Sequence, residues 1–507
     1  MILRRKENAI RNVKFGIIFK LLSTIAPFIC RTVIIKKLGA EYLGLNSLFI
    51  SILSVLSLAE LGFGAAMVFS MYKPIAEDDH KQICALLNYY KRAYRVIGSI
   101  ITIIGLLLIP FLGYLIKGDY PEGINIVTVY LINLVSVAST YFLFAYKNSI
   151  ITAHQRDDVT SRISSVQVMV QYSLQISILF LFENYYAYVI IVPICNVCNN
   201  LITAYMAKKL YPDYYATGVL SKVDKAVINK KVRSLFIYKV GNVVSNTVDS
   251  VVISAFFGLT IVGIYGNYYY VITALFGFLS IYYSAMTAGL GNSIAIDGKE
   301  KNYRLFNRLL FAQQWLIGWI SIFLLCLYQD FIKLCFGQDL MFDFGIVVFF
   351  VLYFYVWKIN DMVHIFKEAA GLWEYDRFRP LISSMCNLIL NILLIQYIGI
   401  YGVILSTVFC ELAFSPTWAA DVLFRYYFKQ KVYKYQLKLG CGFLINTIAA
   451  TITYWCCSFI NFQNLLLSLL VKAIICCIIP NLLFIGIHYK SDMFKLWTAE
   501  IKSILKR

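Results

Sequence analysis

Residues 43–70 read LGLNSLFISILSVLSLAELGFGAAMVFS and carry one charged side chain, Glu60. An apolar run of this length exceeds the roughly 20 residues that an α-helix needs to cross a bilayer. We predict further spans of this kind along the chain, so that the full set is 14–36, 43–70, 94–116, 124–146, 163–183, 186–207, 235–257, 262–290, 309–328, 344–366, 380–398, 401–424, 437–459 and 464–488. The sequence therefore predicts an all-α integral membrane protein with about fourteen transmembrane helices.

The composition supports the same fold class. The 507-residue chain is 60% hydrophobic and only 14% charged, whereas soluble domains carry about 25% charged residues. A formal net charge of +19 would suggest nucleic acid in a soluble protein. Here the basic residues cluster between the apolar runs, which is typical of membrane topology. We therefore expect a lipid bilayer, and no nucleic acid, as the surrounding partner.

Lysine and arginine accumulate in every second loop. The basic loops are 73–95, 147–162, 208–233, 299–308, 367–379 and 425–438, and the tail after residue 488 is also basic. Because cytoplasmic loops of membrane proteins are enriched in Lys and Arg, the alternation predicts a multi-pass membrane protein with both termini in the cytoplasm. The outer loops are short, so we expect no enzyme active site there.

Residues 14–76 align on residues 233–295 without a gap. The aligned pairs include Lys20 with Lys239, Gly39 with Gly258, and Gly44 with Gly263. Both copies begin on the predicted cytoplasmic side, and parallel repeats build two similar bundles around an axis normal to the membrane. We predict a pseudo-symmetric pair of lobes with about six helices each, at 1–210 and 235–430, joined by a cytoplasmic linker at 211–234. Residues 431–507 would add two transmembrane helices and a basic cytoplasmic tail.

Several charged residues fall inside the predicted spans. A charge near the bilayer centre costs at least about 2.5–3.5 kcal/mol, so it normally faces a cavity or a partner. The candidates for cationic, substrate-binding cavity residues are Arg31, Lys20, Lys239 and Lys358. The candidate coupling or pairing acids are Glu60, Asp249 and Asp361, and the candidate polar cavity residues are Asn242 and Asn246.

Other interpretations of these charges stay open. Lys20 and Lys239 could snorkel to the cytoplasmic surface along their long stems, and Arg31 could snorkel outward. Lys358 and Asp361 stand one helical turn apart and could pair with each other. Lys20 lies at a similar depth to Glu60 and could pair with it, whereas Lys472 in the last span has no evident partner in the sequence.

Metal and cofactor chemistry is not expected. The thirteen cysteines lie mostly inside apolar runs, where free Cys behaves as a small hydrophobe. Cys195 and Cys198 form a CxxC motif inside a predicted span, but the sequence offers no second pair to complete a metal site. We expect no catalytic residue, no metal and no bound cofactor, with coupling to an H⁺ or Na⁺ gradient as the energy source to consider.

Three short stretches resemble a known family. They are 42–46 (YLGLN), 58–64 (LAELGFG) and 73–76 (KPIA), and together they resemble the N-terminal signature of bacterial polysaccharide-repeat transporters. These transporters belong to the multidrug, oligosaccharidyl-lipid and polysaccharide exporter superfamily. In related precursor flippases, arginines of the first helix lie in the central cavity, which implies that role for Arg31.

The resemblance implies a function. It implies a flippase that moves undecaprenyl-pyrophosphate-linked oligosaccharide repeat units from the cytoplasmic to the outer leaflet by alternating access. The product would serve O-antigen, capsule or exopolysaccharide biosynthesis, with the polymerase and glycosyltransferases of that pathway as partners.

Two rival functions remain. A multidrug or cation antiporter of the same fold would use Glu60 and Asp249 as coupling carboxylates. Such exporters tend to use an acid in the first helix, and residues 15–40 contain none, which favours an anionic substrate. A membrane polysaccharide polymerase or ligase would need a large outer loop with catalytic residues, and the predicted outer loops are short.

Overall fold

The computed structural model describes the backbone of residues 5–505 apart from Leu61, Asp119 and Asn461. The described residues form nineteen α-helices and no β-strand, which confirms the all-α prediction. The chain divides into two compact units, Met1–Gly266 and Asn267–Arg507. The lobe and linker boundaries expected from the repeat stay a prediction.

The first helices run in chain order as α1 Arg5–Lys37, α2 Ala40–Leu56, α3 Phe63–Ala76, α4 His80–Leu107, α5 Ile126–Phe142, α6 Asn148–Ala153, α7 Asp157–Leu181, α8 Tyr185–Leu210, α9 Lys222–Phe257 and α10 Leu259–Ile296. The remaining helices are α11 Lys299–Phe336, α12 Phe344–Ile359, α13 Asp361–Ala369, α14 Arg379–Ile398, α15 Ile400–Phe414, α16 Ala420–Val422, α17 Tyr433–Ser458, α18 Leu465–His488 and α19 Asp492–Leu505. Short 3₁₀ segments, including Ser57–Glu60 and Ile109–Leu115, and two π-helical segments, Ser415–Ala419 and Leu423–Phe428, lie between them.

Most of the predicted spans are present as helices. Within the described residues, 10 helices are long and apolar enough to cross a membrane, or up to 12 if each of two bent pairs counts as one span. The second predicted span contains two shorter helices, α2 and the start of α3, and the seventh lies within the longer helix α9. The protein is thus a multi-pass membrane protein, while the count of fourteen stays a prediction.

Polar side chains mark where many helices begin. A side-chain oxygen accepts a hydrogen bond from a first-turn backbone N–H, which satisfies a donor that the helix itself leaves open. The capping residues are Asp79, Asn125, Asn184, Ser221, Asp343 and Asn464. The cap at Ser221 explains why α9 starts well before the span predicted at 235.

The segment predicted as a linker packs against the start of α4. Asn88 donates to the Gly218 carbonyl at 2.7 Å, and Tyr89 donates to Asn229 at 2.6 Å. His154, between α6 and α7, stacks on Tyr211 with ring centroids 4.0 Å apart. These contacts order residues 211–229 on the surface of the first unit.

Two glycines of the repeat form equivalent turns. Gly39 follows α1 with a φ of 119°, and Gly258 follows α9 with a φ of 83°. Positive φ in this range is strained for residues with a Cβ, so glycine lets each helix end and reverse direction. The aligned positions therefore share a backbone conformation as well as a residue type.

The second pair of repeat glycines brings the two copies into direct contact. A Cβ on Gly44 would lie 1.9 Å from the carbonyl oxygen of Leu259, and a Cβ on Gly263 would lie 2.4 Å from the carbonyl oxygen of Ala40. Ala40 and Leu259 are themselves equivalent under the 219-residue shift. The starts of α2 and α10 thus cross in a reciprocal, pseudo-symmetric contact that only glycine permits.

In the second unit, α17 and α18 pack against α11. Lys472 of α18 donates to Asp330 of α11 at 2.6 Å. Trp315 of α11 donates to Asn481 of α18 at 2.8 Å. Lys472 is therefore not isolated, because an acid on a helix distant in sequence neutralises its charge.

Candidate functional site

Arg31 lies on α1 beside the contact between the two repeat copies. Its Nη2 atom stands 2.8 Å from the position that a Cβ on Gly266 would occupy, and the Ser47 hydroxyl stands 3.6 Å from the same position. Ser47 and Gly266 are equivalent under the repeat shift. The Arg31 Nε atom is buried, which favours a place inside the unit over the outward snorkelling alternative.

Lys20 is half-buried on the same helix. The nearby hydroxyls of Ser23 and Thr24 both donate to the Lys20 carbonyl, at 3.1 and 2.8 Å. Such bonds within a helix use up the hydroxyl protons locally. The hydroxyl protons of Ser23 and Thr24 are therefore engaged by the backbone of α1 itself.

Three predicted site residues lie on α9, within the stretch of the first unit that repeats α1. They are Lys239, Asn242 and Asn246. Their side chains lie outside the described residues, so their role stays a prediction. Asp249, further along α9, is buried and accepts a hydrogen bond from Tyr265 at 3.0 Å.

Glu60 sits where the second span breaks. The helix α2 ends at Leu56, a 3₁₀ turn carries Glu60, and Gly62, with a φ of 86°, precedes α3. Tyr141 donates to one carboxylate oxygen at 2.7 Å, and Tyr94 donates to the other. Within the described residues, Glu60 forms no ion pair with Lys20, and the two tyrosine hydroxyls are its hydrogen-bond partners.

Two cavities of the first unit meet at Glu60. One has a volume of about 500 Å³, and its polar lining residues are Ser54, Ser57, Asn133, Ser136 and Asn196. The other has a volume of about 370 Å³, and its polar lining residues include Asn148, Thr160, Asn199, Asn200 and Thr203. Among the described residues, Asn199 Oδ1 and Asn200 Nδ2 are buried without a hydrogen-bond partner. Polar linings of this kind suit water or a ligand rather than hydrocarbon.

In the second unit, one residue, Asn360, interrupts the span Phe344–Ala369 between α12 and α13. Lys358 is the penultimate residue of α12 and Asp361 is the first residue of α13. Lys358 donates to Asp361 at 2.8 Å, so the pairing that their spacing suggested is present. The Lys358 ammonium also lies 4.3 Å from the centroid of the Phe276 ring, a favourable cation–π distance.

Side-chain amides support this break. Gln313 of α11 donates to the Lys358 carbonyl at 2.5 Å, and Asn360 donates to the Val356 carbonyl at 2.9 Å. A carbonyl freed by a helix break inside a membrane needs such a partner, because lipid offers none. Discontinuous helices with charges at the break are typical of transporter binding sites.

A buried ionic cluster near α13 was missed by the sequence analysis, which treated 367–379 as an ordinary basic loop. Asp376 is fully buried and accepts from Lys367 and, at 3.1 Å, from Arg379. Arg379 also donates to Ser415 at 3.4 Å, at the start of the first π-helical segment. Only the spacing of Asp376 and Arg379, one turn apart, could have indicated a pair.

The chain was compared with known protein families and solved structures. Residues 9–287, more than half of the chain, match the model of a family described as "Polysaccharide biosynthesis protein". No curated protein sequence matches the chain.

Solved structures share the fold over most of the chain at low sequence identity. One is described as the lipid II flippase MurJ in an inward closed conformation, with 16% identity, a TM-score of 0.71, and coverage of 94% of this chain and 99% of that one. An inward-facing multidrug resistance MATE family transporter of the MOP superfamily has 14% identity, a TM-score of 0.63, and coverage of 83% and 96%. An outward-facing MATE family transporter has 14% identity, a TM-score of 0.56, and coverage of 89% and 97%.

Proposed function

Since the chain belongs to the family of polysaccharide biosynthesis proteins, we propose that it is a flippase for undecaprenyl-pyrophosphate-linked oligosaccharide. It moves the repeat unit from the cytoplasmic to the outer leaflet of a bacterial inner membrane. The observation that supports this proposal is the half-buried Arg31 side chain, whose Nε atom is buried and whose Nη2 atom lies beside the contact between the repeat copies.

The charge of the substrate suits the half-buried arginine. The pyrophosphate headgroup is a multiply charged anion that starts at the cytoplasmic face. A guanidinium presents a planar fork that binds phosphate oxygens through two parallel hydrogen bonds, and it stays charged in an apolar setting. Lys20 lies on the cytoplasmic half of the same helix under the predicted orientation, so α1 offers cations at two depths along the path.

The glycine contact provides a barrier beyond Arg31. In the predicted orientation α2 runs inward from Ala40, so Ser47 lies about 4.5 Å deeper than Gly44 at 1.5 Å per residue. The crossing of α2 and α10 therefore stands between Arg31 and the outer face. Opening this crossing while the inner side closes would release the headgroup outward, which is alternating access.

A multidrug or cation antiporter remains the second candidate, because a carboxylate stands where two polar cavities meet. Glu60 in that place could bind a proton or a cation. Proton-coupled drug efflux that depends on Glu60 would favour the antiporter. Glycan export that depends on Arg31 and occurs without any drug present would favour the flippase.

The pathway context follows from the substrate. We propose that the protein forms and breaks no covalent bond, so glycosyltransferases must supply the lipid-linked oligosaccharide and a polymerase must consume it on the outer side.

The predicted orientation can be tested separately. Residues that face the cytoplasm under this orientation, such as those of 73–95 and 299–308, would be protected from membrane-impermeant thiol reagents in intact cells when substituted by Cys.

Complementation of a flippase-null strain tests the proposal. We expect Arg31→Ala to lower surface glycan roughly 10- to 100-fold, because losing charge-assisted hydrogen bonds costs about 1.5–3 kcal/mol. Arg31→Lys, which keeps the charge but loses the fork, should retain part of the export. Lys36→Ala, at an exposed position near the end of the same helix, serves as the matched control. Full complementation by Arg31→Ala with normal membrane levels would refute the assignment.

A further inference from the structure

Three cysteines from three helices converge inside the second unit. Cys326 of α11, Cys457 of α17 and Cys476 of α18 place their Sγ atoms within 4.8 Å of one another. The Sγ atoms of Cys457 and Cys476 are 4.0 Å apart. All three side chains are buried, with at most 7% of their surface exposed.

The separation of these sulfurs matches a metal-binding geometry. Metal–sulfur bonds of about 2.3 Å to three ligands in one plane place the sulfurs about 4.0 Å apart. The thiols come from three helices, the consecutive α17 and α18 and the distant α11, so the cluster depends on how α11 packs against the other two. The arrangement is thus a set of three ligands around one central point.

The surroundings of the thiols select the kind of ion. The residues packed around them are hydrocarbon, including Ile322, Ala449 and Phe484. Hard cations such as Na⁺ and Mg²⁺ prefer oxygen ligands, whereas thiolates select soft ions such as Cu(I). Structural zinc sites almost always have four ligands, and three sulfurs converge here within the described residues.

The nearest charged side chains cannot balance the charge of a highly charged metal–sulfur complex at this site. Asp330 and Lys472 lie one turn from Cys326 and Cys476 on the same two helices, but they neutralise each other at 2.6 Å. A buried site in hydrocarbon must then stay close to neutral, because burying an uncompensated charge is costly. A monovalent ion achieves this when one thiol gives up its proton.

We propose that Cys326, Cys457 and Cys476 bind one Cu(I) ion. On binding, one thiol releases its proton to solvent, and its thiolate forms the principal bond to Cu(I), so the net charge of the site stays at zero. The other two thiols keep their protons and contact the ion as weak, neutral sulfur donors. The metal would tie α17 and α18, the two helices beyond the repeat, to α11. This site is independent of the proposed transport path.

The sequence provides matched controls. Each of the two last spans contains a Cys-Cys pair, 456–457 and 476–477. Cys457 and Cys476 are buried in the cluster, whereas Cys477 is exposed and Cys456 is only half-buried. Substituting Cys456 and Cys477 removes one cysteine from each of the same two helices but leaves the three clustered thiols intact.

Competition between the purified, reduced protein and a coloured Cu(I) chelator under anaerobic conditions tests the site. Full-length protein should bind one tight equivalent of Cu(I). The variant Cys457→Ser/Cys476→Ser should bind Cu(I) at least about 100-fold more weakly. Losing only a hydrogen-bond partner of a ligand can already weaken metal binding by up to about 100-fold, and this variant loses two of the sulfurs themselves. The control Cys456→Ser/Cys477→Ser should bind as the unaltered protein does. X-ray absorption should report sulfur ligands only.

A second measurement needs no substitution. Cu(I) should protect Cys326, Cys457 and Cys476 of the unaltered protein from alkylation, as mapped by mass spectrometry, while the exposed Cys441 stays reactive. Equal affinity in the two double variants, or equal alkylation with and without Cu(I), would overturn the proposal. A disulfide between Cys457 and Cys476 in protein isolated and alkylated under reducing conditions would overturn it as well.

Discussion

The two units each break a membrane span at a charged residue, but they stabilise the charge differently. In the first unit, neutral tyrosine hydroxyls hold Glu60 at the turn before Gly62. In the second unit, Lys358 and Asp361 neutralise each other across the break. The two breaks therefore accommodate a charge inside a membrane span in different ways: by hydrogen bonds from neutral groups in the first unit and by an opposite charge in the second.

The largest effect should come from splitting the ion pair of the second unit. Asp361→Asn leaves the Lys358 ammonium buried without its counter-charge, which should destabilise the protein by about 3–5 kcal/mol. Removing both charges in Lys358→Met/Asp361→Asn should recover most of that loss. Thermal unfolding of the detergent-purified variants measures both. If the single and double variants unfold alike, the pair is not what stabilises this break.

A smaller loss is expected in the first unit, where the partners are uncharged. Tyr141→Phe removes one hydrogen bond to Glu60 and should cost about 1–2 kcal/mol. Glu60→Gln should cost less, because the amide oxygen still accepts a hydrogen bond, and the same thermal assay applies. A loss for Glu60→Gln as large as that for Asp361→Asn would erase the distinction between the two breaks.

The smallest effects concern the backbone at each break. Gly62→Ala forces a Cβ into the left-handed region at a φ of 86° and should cost about 1–2 kcal/mol. Asn360 has an ordinary φ of −86°, so Asn360→Ala should lose only side-chain hydrogen bonds. The bond to Val356 is worth about 0.5–1.5 kcal/mol, and the bond from Tyr435, at 3.5 Å, is long and weak. Gly16→Ala, with nothing within 4 Å of the new Cβ, is the control. A neutral Gly62→Ala would show that the turn does not need glycine.

The fold class and the repeat could be predicted from the sequence because both depend on patterns that the chain carries locally. Apolar runs of sufficient length are spans in almost any context, and the all-α prediction is confirmed. The aligned glycines, Gly39 with Gly258 and Gly44 with Gly263, occupy equivalent positions in the structure. Composition could not reveal that the span at 43–70 breaks, since the tyrosines that hold Glu60 at the turn come from other helices.

The partners of the buried charges could not be predicted, because they depend on which helices meet. Lys472 pairs with Asp330, which is 142 positions away, and nothing in the sequence links the two. Lys367 and Asp376 read as parts of an exposed loop, yet both are fully buried. The pairing of Lys358 with Asp361 was predictable because helical spacing alone brings them together.

Flipping by the purified protein in liposomes tests the central claim most directly. Fluorescent undecaprenyl-pyrophosphate-linked oligosaccharide is placed in one leaflet, and its arrival in the other is followed with a membrane-impermeant quencher. The account predicts rapid exchange with unaltered protein and with Lys36→Ala, and exchange slowed at least about tenfold with Arg31→Ala, as expected for a lost charge-assisted contact. Equal rates for unaltered protein and Arg31→Ala would contradict it.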